Sequence, residues 1–84
     1  MIFTIKFLVE GMPRSGELAF PEISASLLRG LEQAGIRGAS FNDRREIFTV
    51  ELDPALISWS EVRDTVRLVG EREGRILIAV VMSL

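Results

Sequence analysis

The side chains able to do chemistry in this chain are carboxylates, hydroxyls, arginines and a single lysine, Lys6. The chain has no cysteine and no histidine, which excludes disulfides, zinc fingers, thiol catalysis and the commonest general base. Tyrosine is absent too, so no phenol can replace histidine as an acid. We therefore expect a protein that is not an enzyme and that holds no cofactor.

The polar residues closest to forming a site lie in one loop. Gly11, Pro13 and Gly16 break regular structure between positions 10 and 18. The candidate ligand or partner contacts in this loop are Glu10, Gly11, Met12, Arg14, Ser15 and Glu17. With Glu22, the carboxylates of Glu10 and Glu17 are oxygen ligands of the kind that hard cations accept. A hard-metal site there stays an open alternative, but loop carboxylates are usually solvated, and we assign no metal ligand.

Strands and helices alternate around this loop. Alternating apolar residues predict strands over 1–9 and 46–52. A weaker strand is predicted over 36–42, and a run that is apolar on both faces predicts the last strand over 75–83. One helix opens at Phe20 and Pro21 and stops at Gly35, the residue type that favours a left-handed helix end. A second helix begins after a capping box of Ser58 and Glu61 and ends at Gly70 or Gly74.

This order predicts one α+β domain over residues 1–84, a ferredoxin-like βαββαβ two-layer sandwich. Its four-stranded antiparallel sheet would carry both helices on one face, with strands one and three in the middle. The predicted core residues are Phe3, Ile5, Phe7, Phe48, Val50 and Leu52 from the strands and Ile23, Leu27, Leu31, Val62, Val66 and Val69 from the helices. Gly30, inside the first helix, is expected to let that helix approach the sheet closely.

The last strand is the most informative surface, because it is an edge strand with two apolar faces and no charge. We expect one of its faces to lie on the open side of the sheet and to form an interface. The interface predicted from the alternation consists of Ile47, Leu77, Ala79 and Val81. The expected partner is a second copy of the chain or another protein, and a small-molecule ligand stays open.

Charge and hydropathy exclude several other partners. The formal net charge is −2, whereas nucleic-acid binding needs a basic patch. No apolar run reaches the roughly 18 residues of a membrane helix. Residues 1–9 lack the basic start of a signal peptide, so we expect a cytoplasmic protein. RNA-recognition domains share this topology, but here Phe3, Phe7 and Phe48 have the core parity and leave no outer stacking platform.

Four stretches together resemble heavy-metal-associated domains. Val9-Glu10-Gly11-Met12 resembles the end of their first strand and the start of their metal loop. Gly35-Ile36 with Ala39-Ser40-Phe41-Asn42 is similar to their second strand, and Val50-Glu51-Leu52-Asp53-Pro54 to their third strand and its exit. Ser58, Glu61 and Val62 resemble the start of their second helix, which would end near Gly70.

The resemblance implies the fold and an interaction surface, but not the metal site. The family binds soft metals through a Cys-x-x-Cys, and this chain has no thiol. We therefore expect a non-catalytic interaction domain that docks to itself or to a partner through its last strand and open sheet face.

Two further families share the topology. In amino-acid-sensing domains of the ACT type the effector sits at the same loop, and Gly16-Glu17-Leu18-Ala19 and Ala34-Gly35-Ile36 loosely resemble their pattern. A sensing role is the alternative function. Acylphosphatases need an arginine in this loop, but Glu10 to Arg14 does not resemble their phosphate cradle.

Overall fold

The structure has the predicted order of strands and helices. The computed structural model describes the backbone of residues 1–83 and the side chains of residues 1–82. Its elements are β1 (Phe3–Glu10), α1 (Ala19–Gln33), β2 (Arg37–Asn42), β3 (Ile47–Leu52), α2 (Trp59–Arg72) and β4 (Ile78–Ser83). The strands pair antiparallel in the order β2-β3-β1-β4. The predicted ferredoxin-like fold, with β1 and β3 in the middle, is confirmed.

The two central strands place alternate apolar residues on the inner face of the sheet. Ile5 lies opposite Val50 and Phe7 opposite Phe48, and all four side chains are buried. The rings of Phe7 and Phe48 stack with their centroids 5.5 Å apart. Because strand side chains alternate in direction, this parity directs the residues between them to the outer face.

Both helices bury an apolar stripe against this inner face. The stripe residues are Ile23, Leu27 and Leu31 in α1 and Val62, Val66 and Val69 in α2. They form one core cluster with the inward residues of the strands. After α1, Gly35 has φ +85°, which is the left-handed helix stop that the sequence predicts. Neither helix in the described chain is long and apolar enough to span a bilayer.

Two details at the ends of elements differ from the prediction. Phe3 lies at the open start of β1, where 49% of its surface remains exposed, so it is not a core residue. Ser58 occupies the N-cap of α2, but its hydroxyl contacts the hydroxyl of Ser60 at 2.9 Å and caps no backbone N–H. The predicted capping box with Glu61 is therefore wrong, although the helix begins where the pattern placed it.

The faces of β4 are the reverse of the prediction. Leu77 and Ala79 are 1% and 5% exposed, and Val81 is half-buried against the core. Pairing with β1 sets this parity, because Val81 lies opposite the buried Phe7. The Leu77 side chain also occupies the space that a Cβ at Gly70 would need, which fixes it against α2. Leu77 and Ala79 therefore belong to the core and cannot form an open interface.

Gly30 permits close packing between the two helices and not, as predicted, between a helix and the sheet. A Cβ placed at Gly30 would lie 2.7 Å from Cγ2 of Val69 and 3.6 Å from Cγ2 of Thr65, both in α2. Val69 is buried and β-branched, so it has little freedom to move away.

We predict that Gly30→Ala lowers the free energy of unfolding by about 1 kcal/mol. The clash with Val69 costs about 1–3 kcal/mol, and this outweighs the roughly 1 kcal/mol that alanine gains over glycine in a helix. In a Val69→Ala background the clash is gone, so the same change should be stabilising there. Urea unfolding of the four proteins measures both effects. A stabilising Gly30→Ala in the native chain would contradict this account of the packing.

Candidate functional site

The loop after β1 is tied to the connection between α2 and β4. Gly11 has φ +89°, and any side chain there would overlap the carbonyl of Ile76. The guanidinium of Arg75 donates to the Gly11 carbonyl at 3.4 Å. Glu10 ends β1 as an exposed residue. The start of the loop therefore needs glycine, because the backbone of another segment lies against it.

The rest of the loop does not gather its polar groups. Met12 packs against the core and Pro13 is buried, whereas Arg14, Ser15 and Glu17 are exposed. The N–H of Glu17 donates to the carbonyl of Arg14 at 2.9 Å, which closes a turn before α1. This turn faces solvent, and Gly16 within it has open space around its Cα.

The structure does not support the open hard-metal alternative. In the part of the chain that is described, no three acidic residues come together to hold a cation, so Glu10, Glu17 and Glu22 do not form such a group. The hydroxyl of Ser24 is not free to bind a ligand either, because it donates to the Phe20 carbonyl within α1 at 2.8 Å.

The outer face of the sheet carries an apolar patch toward the β4 edge. We call Leu8, Ile47, Ile78, Val80 and Met82 the outer patch. Leu8 lies opposite Val80 in the β1–β4 ladder, and these two residues are 39% and 38% exposed. Ile78 and Met82 are about half exposed, and Ile47 is half-buried. Of the predicted interface residues, only Ile47 therefore lies on this face.

The remaining outer face is polar. Thr4 lies opposite Glu51, and Lys6 lies opposite Thr49. The aromatic rings of β1 and β3 point inward, with Phe7 and Phe48 at most 1% exposed. The outer face thus has no aromatic platform on β1 or β3 on which RNA bases would stack, as the sequence parity predicts.

The outward positions of Ile78, Val80 and Met82 differ from the prediction. β4 is apolar at odd and even positions alike, so hydropathy alone could not choose its inward face. The missing information was the pairing of Ala79 and Val81 with the inward residues of β1. A signal was present in Gly70, which leaves room on α2 for one large residue of the following segment.

Comparison with known proteins identifies the fold. No protein-family model matches the chain, and no curated protein is significantly similar to it. Among solved structures, a copper-binding domain from HMA7, a P-type ATPase, superposes with a TM-score of 0.73 and 19% identity, covering 99% of this chain and 96% of that chain. Oxidised MerP from Ralstonia metallidurans CH34 superposes with a TM-score of 0.70 and 14% identity, covering 99% and 100%. The chain therefore has the fold of heavy-metal-associated domains.

The residues of this loop do not fit a soft metal ion. Copper(I) needs thiolate or thioether ligands, and the chain has no cysteine. The nearby thioether of Met12 packs against the core. The turn from Arg14 to Glu17 still has the spacing of a Cys-x-x-Cys, and its hydrogen bond brings the two ends close together. The chain therefore has no thiolate at either end of this turn.

We predict that the double variant Arg14→Cys, Glu17→Cys gains one copper(I) site, while the native chain binds none. Competition with a chromogenic copper(I) chelator measures the stoichiometry of each protein. The pair Arg14→Cys, Glu22→Cys is the control, because its thiols are not joined by the turn. Stoichiometric copper(I) binding by the native chain would contradict this prediction, because it would show that groups other than thiolates bind the ion. Failure of the double variant would show that the turn does not bring its ends within ligand distance.

Proposed function

We propose that this chain is a non-catalytic protein-interaction domain that associates with a second copy of itself through the outer patch and strand β4. The observation that carries the proposal is the outer patch itself, because both helices pack on the inner face and leave these residues open to solvent. Contiguous exposed apolar surface usually marks an interaction site.

The edge of the sheet supports the same surface. β4 is an edge strand, and its sequence from Ile78 to Ser83 contains neither charge nor proline. Soluble proteins usually protect such an edge with lysine, proline or a covering segment, because its unpaired backbone groups can pair with another chain. An edge without these features next to an apolar face suits a contact between protein chains.

The charges on the outer face allow two copies to approach. Lys6, Glu10 and Glu51 all lie on this face, so each copy presents both signs. A two-fold contact places the same patch against itself, and mixed charges can then pair across it. The net charge of −2 adds little repulsion between copies.

The size of the face limits the area that the contact can bury. Four strands about 4.8 Å apart, with six residues of about 3.4 Å each, give a projected area of roughly 400 Å². A standard interface buries about 800 Å² on each partner. We therefore expect a weak, concentration-dependent dimer.

The other expectations from the sequence stay predictions. The chain lacks histidine, cysteine and tyrosine, which is the argument for a non-enzyme. The sensing alternative places its ligand at the loop of residues 10–17, and no contact in that loop specifically favours an amino acid.

We predict that Val80→Lys shifts the dimer to monomer without loss of fold, because Val80 lies in the outer patch and its side chain can extend to solvent. Sedimentation equilibrium gives the dissociation constant. Leu68→Lys is the matched control, since Leu68 is 45% exposed on α2 in the helix layer. This control should dimerise like the native chain.

Val81→Lys tests the parity of β4. Val81 packs against the core, so a charge there should lower the free energy of unfolding by more than about 2 kcal/mol.

The proposal of self-association fails if the native chain stays monomeric at millimolar concentration, or if Val80→Lys dimerises as tightly as Leu68→Lys.

A further inference from the structure

A small cavity lies where β1 separates from β3. The antiparallel pairing of these strands ends at Phe7 and Phe48, and beyond it β1 pairs with β4 alone. The gap between the end of β1 and the β2–β3 hairpin forms a cavity of about 190 Å³. Its lining comes from four parts of the fold: Leu8, Val9 and Glu10 of β1, Met12 of the loop, Phe20 of α1, and Phe41, Glu46 and Phe48 of the hairpin.

The inner walls of the cavity are apolar and largely aromatic. The Phe41 ring packs between two others, with centroid distances of 5.7 Å to Phe20 and 4.3 Å to Phe48. Phe20 and Phe48 are buried, and Met12 packs against the core beside them. At about 30 Å³ for each water-sized group, the cavity has room for roughly six non-hydrogen atoms. A short alkyl chain therefore matches its size and its walls.

Two carboxylates lie at the opening. Glu10 and Glu46 line the cavity and are exposed, so they stand on its solvent side. Within residues 1–82 the structure records one ion pair, Arg67 with Glu71, so neither carboxylate is neutralised by a direct cation partner. The nearby Arg75 donates to the Gly11 carbonyl.

The hairpin fixes the position of Glu46. The Asn42 side-chain oxygen accepts the N–H groups of Arg44 and Arg45 at 3.1 and 3.2 Å, which orders the turn. Glu46 follows this turn with φ +58°, a left-handed conformation that costs a non-glycine residue some backbone energy. Acidic residues from two separate elements thus line the same cavity and are exposed to solvent.

We propose that this cavity binds a small primary alkylammonium ion, with its chain between the aromatic walls and its ammonium group between Glu10 and Glu46. The apolar walls favour the alkyl chain of the ligand, and the two carboxylates favour its positive charge. The proposal does not depend on self-association. Leu8 belongs to both surfaces, so the test is run on the native chain at a protein concentration low enough for it to be monomeric.

The test is a titration with n-pentylammonium followed by amide shifts in two-dimensional NMR spectra. We expect millimolar affinity, as suits so small a ligand, with shifts concentrated at residues 8–12 and 41–48. 1-Pentanol and pentanoate have similar chains without the positive charge, and both should bind at least fivefold more weakly. The proposal is contradicted if 1-pentanol binds as tightly as n-pentylammonium. It is also contradicted if n-pentylammonium causes no shifts up to about 50 mM.

Charge-neutral variants test the two carboxylates. Glu10→Gln and Glu46→Gln should each weaken n-pentylammonium binding about threefold, and together about tenfold, as expected for partly exposed charge pairs. Glu32→Gln is the matched control, because Glu32 is an exposed acid near the other end of α1. The spectra also report whether each variant is folded. Unchanged affinity in a folded double variant, or an equal loss in Glu32→Gln, would overturn the proposal.

Discussion

The stacking of Phe7 on Phe48 is the contact on which the rest of the structure depends. It pairs the two central strands in register, and the Trp59 ring from α2 packs against Phe7 in a T-shaped arrangement with centroids 5.3 Å apart. Once these rings are inside, both helices must cover that face, and every intervening residue of β1 and β3 points outward. The open face is therefore a consequence of the core.

The sequence predicted this part of the fold because alternation in β1 and β3 is clear. Ile5, Phe7, Phe48 and Val50 leave one choice of inward face. β4 has no such alternation, so only its pairing with β1 places Ala79 inside and Val80 outside. The capping box failed for a local reason, since the Ser58 hydroxyl contacts Ser60 and not the helix backbone. A strand whose apolar residues alternate has one possible inward face and could be predicted, whereas a strand that is apolar on both faces has two and could not.

The candidate sites follow the same division. The loop after β1 could be located from Gly11, Pro13 and Gly16, but the burial of Met12 depends on how the loop packs against the core. The cavity beyond Phe48 was not predictable, because it arises where the strand pairing stops and the hairpin turns away. The fold is that of metal-binding domains such as the copper-binding domain of HMA7, and the chain lacks the thiols that such chemistry needs. The features that the surface does offer are the apolar outer patch, the open edge of β4 and a small cavity lined in part by Glu10 and Glu46.

The central claim is that the outer patch is buried between two copies of the chain. The most direct measurement is an isotope-filtered NMR experiment on a mixture of labelled and unlabelled protein, which detects only contacts between different molecules. The account predicts intermolecular contacts among the methyl groups of Leu8, Ile78 and Val80. Contacts that involve Leu68 and the helix layer instead, or none under conditions where the mass has doubled, would contradict it.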